Sequence, residues 1–215
     1  MALVKRRPYD STRRRQQAAI TRQEIAGAAR RLFASTGYAA TTMEAIAREA
    51  GVALQTVYTS FGSKRRILID LVESLRREAG LRELHEVRDA RRVDPRQRLR
   101  IAAQFHRKLF EHGADILETL RSAGQADPDI ASIWSQANRR RREGSTRIAR
   151  SLARSGDLRP RIGEREAAAM IYVLANHSVY HDVVNESGWS PDQYEAWLAG
   201  TLEQLLLPHS DEQTE

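Results

Sequence analysis

The chain has 215 residues, of which 29% are charged and 41% hydrophobic, a composition typical of a folded globular protein rather than a disordered one. It has no cysteine, which excludes disulfide bonds and cysteine-based zinc or redox chemistry, and no apolar run approaches the roughly 18 residues of a membrane span. The first residues lack the apolar core of a signal peptide, so we expect a cytoplasmic protein. A 3.6-residue period along nearly the whole chain predicts an all-α fold.

The net charge of +7 is concentrated at the beginning of the chain. Residues 1–66 hold 13 Lys and Arg against 4 acidic residues, a net of +9, whereas residues 67–215 hold 22 basic and 24 acidic residues, a net of −2. A basic third on a near-neutral body is typical of a nucleic-acid-binding protein. A solubilising basic tail is the alternative interpretation.

Residues 1–17 are predicted to form a basic flexible arm. Its second basic cluster, Arg13, Arg14 and Arg15, either enters a DNA minor groove or stays loosely near the phosphates. The first helix is expected to begin at Thr21, because Glu24 follows at the spacing of a capping box. We expect it to end near Gly37.

Residues 41–67 predict two short helices joined by a glycine turn and followed by a longer helix. Apolar residues recur at helical spacing on both sides of Gly51: Met43, Ile46, Ala47, Val52, Val57 and Phe61. Two such helices are too short to bury themselves, and this arrangement presents the second helix to a DNA major groove. Thr41, three residues before Glu44, repeats the capping-box spacing, and Ser63 is expected to cap a fourth helix that extends towards residue 90.

The third helix, residues 53–60, is the predicted DNA-reading element. Glutamine pairs bidentately with adenine, threonine contacts a thymine methyl or a phosphate, and a tyrosine hydroxyl suits a phosphate oxygen. We therefore predict base contacts from Gln55, Thr56 and Thr59, a backbone contact from Tyr58, and Ser60 on the same face. Ordinary exposed polar residues are the alternative.

Phosphate contacts are predicted on both sides of this helix. Thr41 and Thr42 lie at the start of the second helix, where free N–H groups and the helix dipole favour an anion, although helix capping is a compatible role. Three cations follow Ser63 in the first turn of the fourth helix, where they oppose its dipole unless an anion is nearby. Of these, Lys64 is the predicted phosphate ligand.

Residues 18–78 resemble the DNA-binding domain of the tetracycline-repressor (TetR) family of bacterial regulators. The resemblance rests on Ala29-x-x-Leu32-Phe33, Gly37-Tyr38, Thr41-Thr42, Ile46-Ala47, Ala50-Gly51-Val52, Thr56-Val57-Tyr58, Phe61 and Ser63-Lys64. It implies a homodimer that binds a palindromic operator in double-stranded DNA and releases it when a small-molecule inducer enters a C-terminal domain, here residues 79–215. The sequence departs from the pattern at two places: Ala53 stands where many members have a capping Ser or Thr, and Arg65-Arg66 replace an acidic residue.

Later helices are predicted at about 95–111, 114–123, 128–155, 164–186 and 191–207. The last two are apolar on more than one side, and a helix of this kind needs two partners. One partner is the protomer's own core, and the other is a second subunit across a two-fold axis. The predicted interface residues are Ile171, Ala175, Val179, Val183, Trp197, Leu198, Thr201 and Leu205. Burial within one protomer is the alternative.

A small-molecule site combines apolar walls with a few polar groups. The residues nominated for such a pocket are Phe105, Leu109, Leu117, Leu120, Ile133, Trp134, Asn138, Tyr172 and Asn176, with a plain core role as the alternative for each. Arg141 interrupts an apolar stripe, and either faces an anionic ligand or turns outward with its basic neighbours. His177 and His181 have a metal-binding spacing but no evident third ligand, so we predict no metal.

The sequence contains no nucleophile–base pair, phosphate loop or metal motif, so we expect no catalytic residue, no cofactor and no enzyme activity. A sequence-specific transcriptional regulator accounts for both the helix-turn-helix and the large helical body. A constitutive or architectural DNA-binding protein without an inducer is the competing hypothesis. It would suit the long basic arm, but it has little need for the C-terminal body.

Overall fold

The computed structural model describes residues 11–89 and 93–208, and these residues form eleven α-helices and one π-helical segment. The all-α prediction is therefore confirmed for this part of the chain. The helices are α1 (Ser11–Thr36), α2 (Met43–Glu49), α3 (Leu54–Phe61), α4 (Lys64–Glu78), α5 (Leu81–Asp89), α6 (Pro95–Glu111), α7 (Ala114–Ala126), α8 (Pro128–Ser155), α9 (Glu164–Leu174), α10 (His177–Tyr180), the π-helical segment (His181–Glu186) and α11 (Pro191–Leu206). None of the helices in these ranges is both long and apolar enough to cross a membrane.

The chain divides into two compact units, Met1–Leu71 and Val72–Glu215. The helix α4 is continuous across this division and across residue 78, where the sequence analysis places the domain boundary. The predicted domain ranges therefore remain a prediction. Residues 1–10 of the predicted arm lie outside the described residues.

The first helix begins earlier than predicted. It is continuous from Ser11, so Arg13, Arg14 and Arg15 lie in its first turns and not in a flexible segment. The expected start at Thr21 was wrong because residues 11–20 contain no Gly or Pro and consist largely of good helix formers, which propagate a helix past a local capping signal.

The first unit packs α1, α2 and α3 around a small apolar core. The turn between α2 and α3 needs a left-handed residue, and Gly51 supplies it with φ of 66°. Val57 and Phe61 of α3 face inward, as predicted from the apolar period. The other buried apolar residues of this unit include Ile25, Ala28, Ala29, Phe33, Met43, Ile46, Ala47, Ile67 and Leu68.

The fourth helix begins as predicted but ends sooner. Ser63 caps it, because its hydroxyl accepts a hydrogen bond from the Arg66 backbone N–H at 3.2 Å. It ends at Glu78 instead of extending towards residue 90, and Gly80, with φ of 93°, turns the chain into α5. A residue with a positive φ cannot continue a right-handed helix.

The second unit has one core, in which α8 packs against α7 and α9 while α6 packs against α11. Prolines mark the first residues of α6, α8 and α11, and Asp94, Asp127 and Ser190 cap these helices. The fully buried side chains of this unit include Leu99, Leu120, Ile130, Leu152, Ile171, Tyr194, Leu198 and Leu202.

The helix predicted over 164–186 is broken. It stops at Leu174, and Asn176 adopts an extended conformation and caps α10 by accepting a hydrogen bond from the Ser178 N–H at 3.3 Å. No proline or glycine marks this position, so the apolar period gave no sign of the break. Residues 176–178, which follow the break, line a cavity of the second unit.

Candidate nucleic-acid interface and ligand cavity

The outward face of α3 is polar. Gln55, Tyr58 and Thr59 are exposed, and Tyr58 keeps 43% of its surface accessible. The Thr59 hydroxyl donates to the Gln55 carbonyl oxygen at 2.8 Å, and the Gln55 amide lies 3.4 Å from the Thr59 hydroxyl. These side chains therefore stand side by side with donors and acceptors available to a partner, which is what reading base edges requires.

The N-terminal half of α1 lies beside this face. A shallow groove is lined from α1 by Arg14, Gln17, Ala18 and Thr21, and from α3 by Gln55, Thr56, Thr59 and Ser60. The structure thus brings one of the three predicted arm arginines next to four of the predicted DNA-contact residues. This juxtaposition was not predicted, because residues 1–17 were expected to form a flexible arm without fixed structure.

Arg22 holds α3 in place, and the sequence analysis did not single it out. Its guanidinium pairs with the Asp70 carboxylate at 2.7 Å, donates to the Ser60 carbonyl oxygen, and lies 3.9 Å from the centre of the Phe61 ring. One side chain of α1 therefore contacts both the end of α3 and α4. A planar guanidinium suits this task because it makes several hydrogen bonds while stacking on an aromatic ring.

The two threonines before α2 have different roles. Thr42 is the N-cap, because its exposed hydroxyl accepts a hydrogen bond from the Ala45 N–H at 3.1 Å. Thr41 is 3% exposed, and its hydroxyl donates to the Gly37 carbonyl oxygen at 2.8 Å. The predicted capping box on Thr41 and Glu44 was therefore wrong: the N-cap is Thr42, and Ala45 at the third helical position has no side chain that could complete a box. A buried hydroxyl that is already bonded cannot serve as the predicted phosphate contact, whereas Thr42 keeps that prediction open.

Lys64 makes backbone contacts that the sequence did not predict. Its Nζ donates to the carbonyl oxygens of Tyr38 at 2.6 Å, Ala39 at 3.3 Å and Thr41 at 2.7 Å, and it lies 4.3 Å from the centre of the Tyr38 ring. An ammonium group has three donors, and three carbonyls occupy them. Lys64 therefore ties the connection between α1 and α2 to the start of α4, in place of the predicted phosphate contact. Arg65 and Arg66 remain exposed in the same turn.

A cavity of about 250 Å³ lies inside the second unit. Its apolar wall comes from α4, α5, α6, α7 and α8, and its polar wall includes residues 176–178, which follow the break after α9. Six of the nine nominated pocket residues line it: Phe105, Leu109, Leu117, Trp134, Asn138 and Asn176. Leu120 and Ile133 are buried core residues, and the Tyr172 ring instead packs beneath two guanidinium groups, those of Arg141 and Arg142, 3.7 and 5.0 Å from its centre.

Arg141 turns inward, not outward with its neighbours. Its Nη1 donates to the carbonyl oxygens of Tyr172 at 2.7 Å and Ala175 at 3.1 Å, and its side chain forms part of the cavity wall. The break after Leu174 leaves the last carbonyls of α9 without helical partners at the negative end of the helix dipole. The half-buried Arg141 guanidinium bonds two carbonyls at this break, those of Tyr172 and Ala175, which explains why an arginine interrupts the apolar stripe of α8.

His106 is a neutral side chain on the cavity wall. The pKa of His106 is lowered to about 4, and burial is the largest cause. The hydrogen bond with the Ala102 carbonyl acts in the opposite direction, and the charges of Arg141 and Arg76 contribute to the lowering. The Nδ1 atom donates to that carbonyl oxygen at 2.7 Å. The neutral ring therefore offers Nε2 as an acceptor.

His177 and His181 have the spacing of a metal-binding pair, but the described contacts of His177 are with an aromatic ring and with its own helical segment. The His177 ring packs edge-on against Phe110 with 5.7 Å between centroids, and burial followed by the charge of His181 lowers the pKa of His177. Within residues 11–89 and 93–208, no three His, Cys, Asp or Glu side chains are arranged to hold a metal ion.

The residues nominated for a subunit interface fall into two groups. Ile171, Ala175 and Leu198 are at most 1% exposed inside a single protomer, so the structure makes them core residues and not interface residues. The others are partly exposed: Val179, Val183, Trp197, Thr201 and Leu205. Val173, which was not nominated, is the most exposed of the large hydrophobic residues described, at 60%. The helical phase of α9 thus differs from the prediction, because its inward stripe is the one that the sequence analysis assigned to the partner.

Comparisons with known proteins agree with this geometry. Residues 25–71 match the family model described as bacterial regulatory proteins, tetR family. No curated protein sequence matches the chain significantly. Among solved structures, the chain is similar to a SmeT–triclosan complex, with 19% identity over 89% of this chain and 93% of that one and a TM-score of 0.75.

Two further solved structures share the fold. One is NalD, the secondary repressor of the MexAB-OprM multidrug efflux pump in Pseudomonas aeruginosa, with 22% identity over 88% of this chain and 98% of that one and a TM-score of 0.70. The other is the fatty acid degradation regulator FadR from Bacillus halodurans, with 19% identity over 93% of this chain and 96% of that one and a TM-score of 0.65.

Proposed function

Because this chain belongs to the tetR family of bacterial regulatory proteins and is a DNA-binding transcriptional regulator, we propose that it is a repressor that a small molecule releases from a palindromic operator. The observation that carries the proposal is a polar, exposed α3 in one compact unit and a cavity in the other. The structural relatives include a complex with triclosan and a named repressor, which supports a ligand-responsive repressor.

DNA contact is assigned to α3 and its surroundings. Gln55, Thr56 and Thr59 read base edges, Tyr58 and Ser60 contact the backbone, and Thr42 contributes at the start of α2. The arginines at the start of α1, Arg13, Arg14 and Arg15, supply phosphate contacts from a helix. Two copies of α3 one helical turn of DNA apart would read two half-sites of a palindrome.

The second copy is expected to cover the outward faces of α9, α10, the π-helical segment and α11. The apolar side chains of this face are the exposed Val173 and the partly exposed Val179, Val183, Trp197 and Leu205, and Thr201 lies among them. A Val173→Glu substitution places a charge on this face and should lower the mass measured by light scattering from that of a dimer towards that of a monomer. A variant that keeps the wild-type mass would remove α9 from the proposed interface.

Selection of bound sequences from random duplex DNA tests the regulator directly. A single recovered palindrome, protected in footprinting, supports an operator-specific repressor. Uniform coverage of the DNA would favour the architectural alternative. Loss of the protected palindrome on adding a metabolite would support release by a ligand.

The proposed base contact has a specific variant. Gln55→Ala should cost about 1–3 kcal/mol at one base pair and relax the preference there, because a bidentate contact is lost. Gln97→Ala, which truncates an exposed glutamine of α6 outside the proposed DNA-contact and subunit-interface surfaces, is the matched control and should leave the recovered sequence unchanged. An unchanged preference in the Gln55 variant would contradict the proposed orientation of α3.

A further inference from the structure

The cavity of the second unit is strongly cationic. Five arginines line it, and none of the described residues on its wall is acidic. We propose that this cavity binds an amphipathic organic anion, an apolar body with a single carboxylate, and that Arg76, Arg140 and Arg147 hold the carboxylate. This names the ligand class of the cavity, and its regulatory consequence rests on the function proposed above.

Two of the five arginines are already satisfied by the protein. Arg121 makes a bidentate pair with the Glu118 carboxylate, at 2.8 Å from Nε and 2.6 Å from Nη2. Arg141 is bonded to the carbonyls at the end of α9. Neither guanidinium needs a ligand to explain its position, so the proposal does not depend on them.

The other three form a cluster between α4 and α8. Within the described residues, no carboxylate lies within ion-pair distance of Arg76 or Arg140. Arg147 has the Glu143 carboxylate 3.9 Å away, beyond hydrogen-bond range, and its Nε is buried without a hydrogen-bond partner. Arg140 is exposed and the Arg147 side chain is 41% exposed, so solvent screens part of their charge, whereas Arg76 is less exposed and has the least compensated charge of the three.

The electrostatic cost of this cluster shows in Arg76. Burial lowers the pKa of Arg76, and the charges of Arg140 and then Arg147 lower it further, while the carboxylate of Glu73 one turn earlier acts in the opposite direction. An arginine does not release its proton at physiological pH, so the repulsion persists until a counter-ion arrives. An anion in the cavity would relieve it, whereas a cationic ligand would increase it.

The rest of the cavity suits an apolar body. Leu84, Phe105, Leu109, Leu117 and Trp134 form aliphatic and aromatic walls, and the volume of about 250 Å³ suits a small ligand. The His106 ring stays uncharged at neutral pH, so it adds no further charge at the centre. The ligand therefore needs its charge at one end only, which is the geometry of a short-chain carboxylate.

Three probes with one apolar body and different charges test the proposal: octanoate, octanol and octylammonium. Each is titrated calorimetrically into the full-length protein at pH 7.5 and one ionic strength. Octanoate is expected to bind about 10-fold or more tightly than octanol, the gain from one charge-assisted hydrogen bond, and octylammonium more weakly than either. The proposal fails if octanoate does not bind at millimolar concentration, or if octanol or octylammonium binds as tightly.

Variants then locate the carboxylate. Arg76→Met keeps the aliphatic stem and removes the charge, and should reduce the ratio of octanoate to octanol affinity by about 10-fold or more. Arg139→Met is the matched control, because Arg139 is exposed, belongs to the same basic run of α8 and does not line the cavity. It should change the ratio by less than about 2-fold, since a screened surface charge contributes little.

The melting temperature of the unliganded Arg76→Met variant separates a ligand-binding role of Arg76 from a purely structural one. Removing Arg76 relieves repulsion in the unliganded protein, so Arg76→Met should raise its melting temperature even though octanoate binding is weakened. A variant that melts lower than wild type, or that keeps the wild-type affinity ratio, would contradict the assignment of Arg76.

Binding of octanoate and release of DNA are measured separately, so the ligand class and the proposed regulation can fail independently. If octanoate binds with the expected preference but does not release the selected DNA, the inference stands and release by this ligand is contradicted. If DNA is released by octanol or octylammonium and not by octanoate, ligand release stands and the anionic class is wrong.

Discussion

The neutral state of His106 makes a quantitative prediction about stability and pH. Burial lowers its folded-state pKa to about 4, whereas an unfolded chain holds a histidine near its ordinary value of 6.5. Between these values the unfolded state carries a proton that the folded state excludes, so acidification favours unfolding. At 1.36 kcal/mol per pKa unit, the folded protein should lose about 3 kcal/mol from this one group as the pH falls from 7 to 4.

The perturbation is His106→Asn. The Asn side-chain NH₂ can take the place of Nδ1–H as donor to the Ala102 carbonyl, so the variant removes the titration while keeping the hydrogen bond. The smaller side chain lowers stability at every pH because it leaves a void in the cavity wall. The informative quantity is therefore the change with pH and not the absolute stability.

The assay is denaturant unfolding followed by circular dichroism at several pH values and one protein concentration. The wild-type protein should lose about 3 kcal/mol more than His106→Asn between pH 7 and pH 4, because the other acid-sensitive groups are common to both. His112→Asn, which removes an exposed imidazole, is the control and should behave as wild type. Equal pH dependence in wild type and His106→Asn would refute the buried neutral histidine.

Three further predictions concern stability. Lys64→Met should destabilise the protein by about 3 kcal/mol, because it deprives carbonyls at the connection between α1 and α2 of their cation, whereas Arg65→Met should change unfolding by less than about 0.5 kcal/mol. Ala53→Ser should stabilise the protein by about 1 kcal/mol, because Ala53 is an extended N-cap without a side-chain bond; an unchanged denaturation midpoint would show that the new hydroxyl does not reach α3. Tyr194→Phe should unfold at the same or a higher denaturant concentration than wild type, because the Tyr194 hydroxyl is buried without a hydrogen-bond partner, and a loss above about 1 kcal/mol would indicate a missed partner.

Helix starts with strong local signals were predicted well. The helices that begin at Pro95, Pro128 and Pro191 were expected at 95, 128 and 191, because proline preorganises the first turn and the preceding residue caps it. The inward and outward faces of α3 were also predicted, since Val57 and Phe61 leave one orientation for a short helix. In these segments the local preference and the tertiary structure favour the same conformation.

Side-chain roles that depend on contacts between residues far apart in the chain could not be predicted from local sequence signals. Both Thr41 and Lys64 looked like surface phosphate ligands, but the connection that follows α1 offers carbonyl groups to both side chains. Arg141 looked like one more exposed arginine until the end of α9 supplied free carbonyls. The break after Leu174 has no proline or glycine to announce it.

The order of amino acids by itself determined an all-helical protein, the location of the helix-turn-helix and the excess of positive charge around it. Periodicity, caps and charge act between near neighbours, so they can be read without coordinates. Only the tertiary structure decided which arginines meet in the cavity, which apolar stripe of α9 faces inward, and which cations are neutralised by backbone carbonyls. Those outcomes depend on residues far apart in the chain, and a one-dimensional pattern does not specify which distant groups come together.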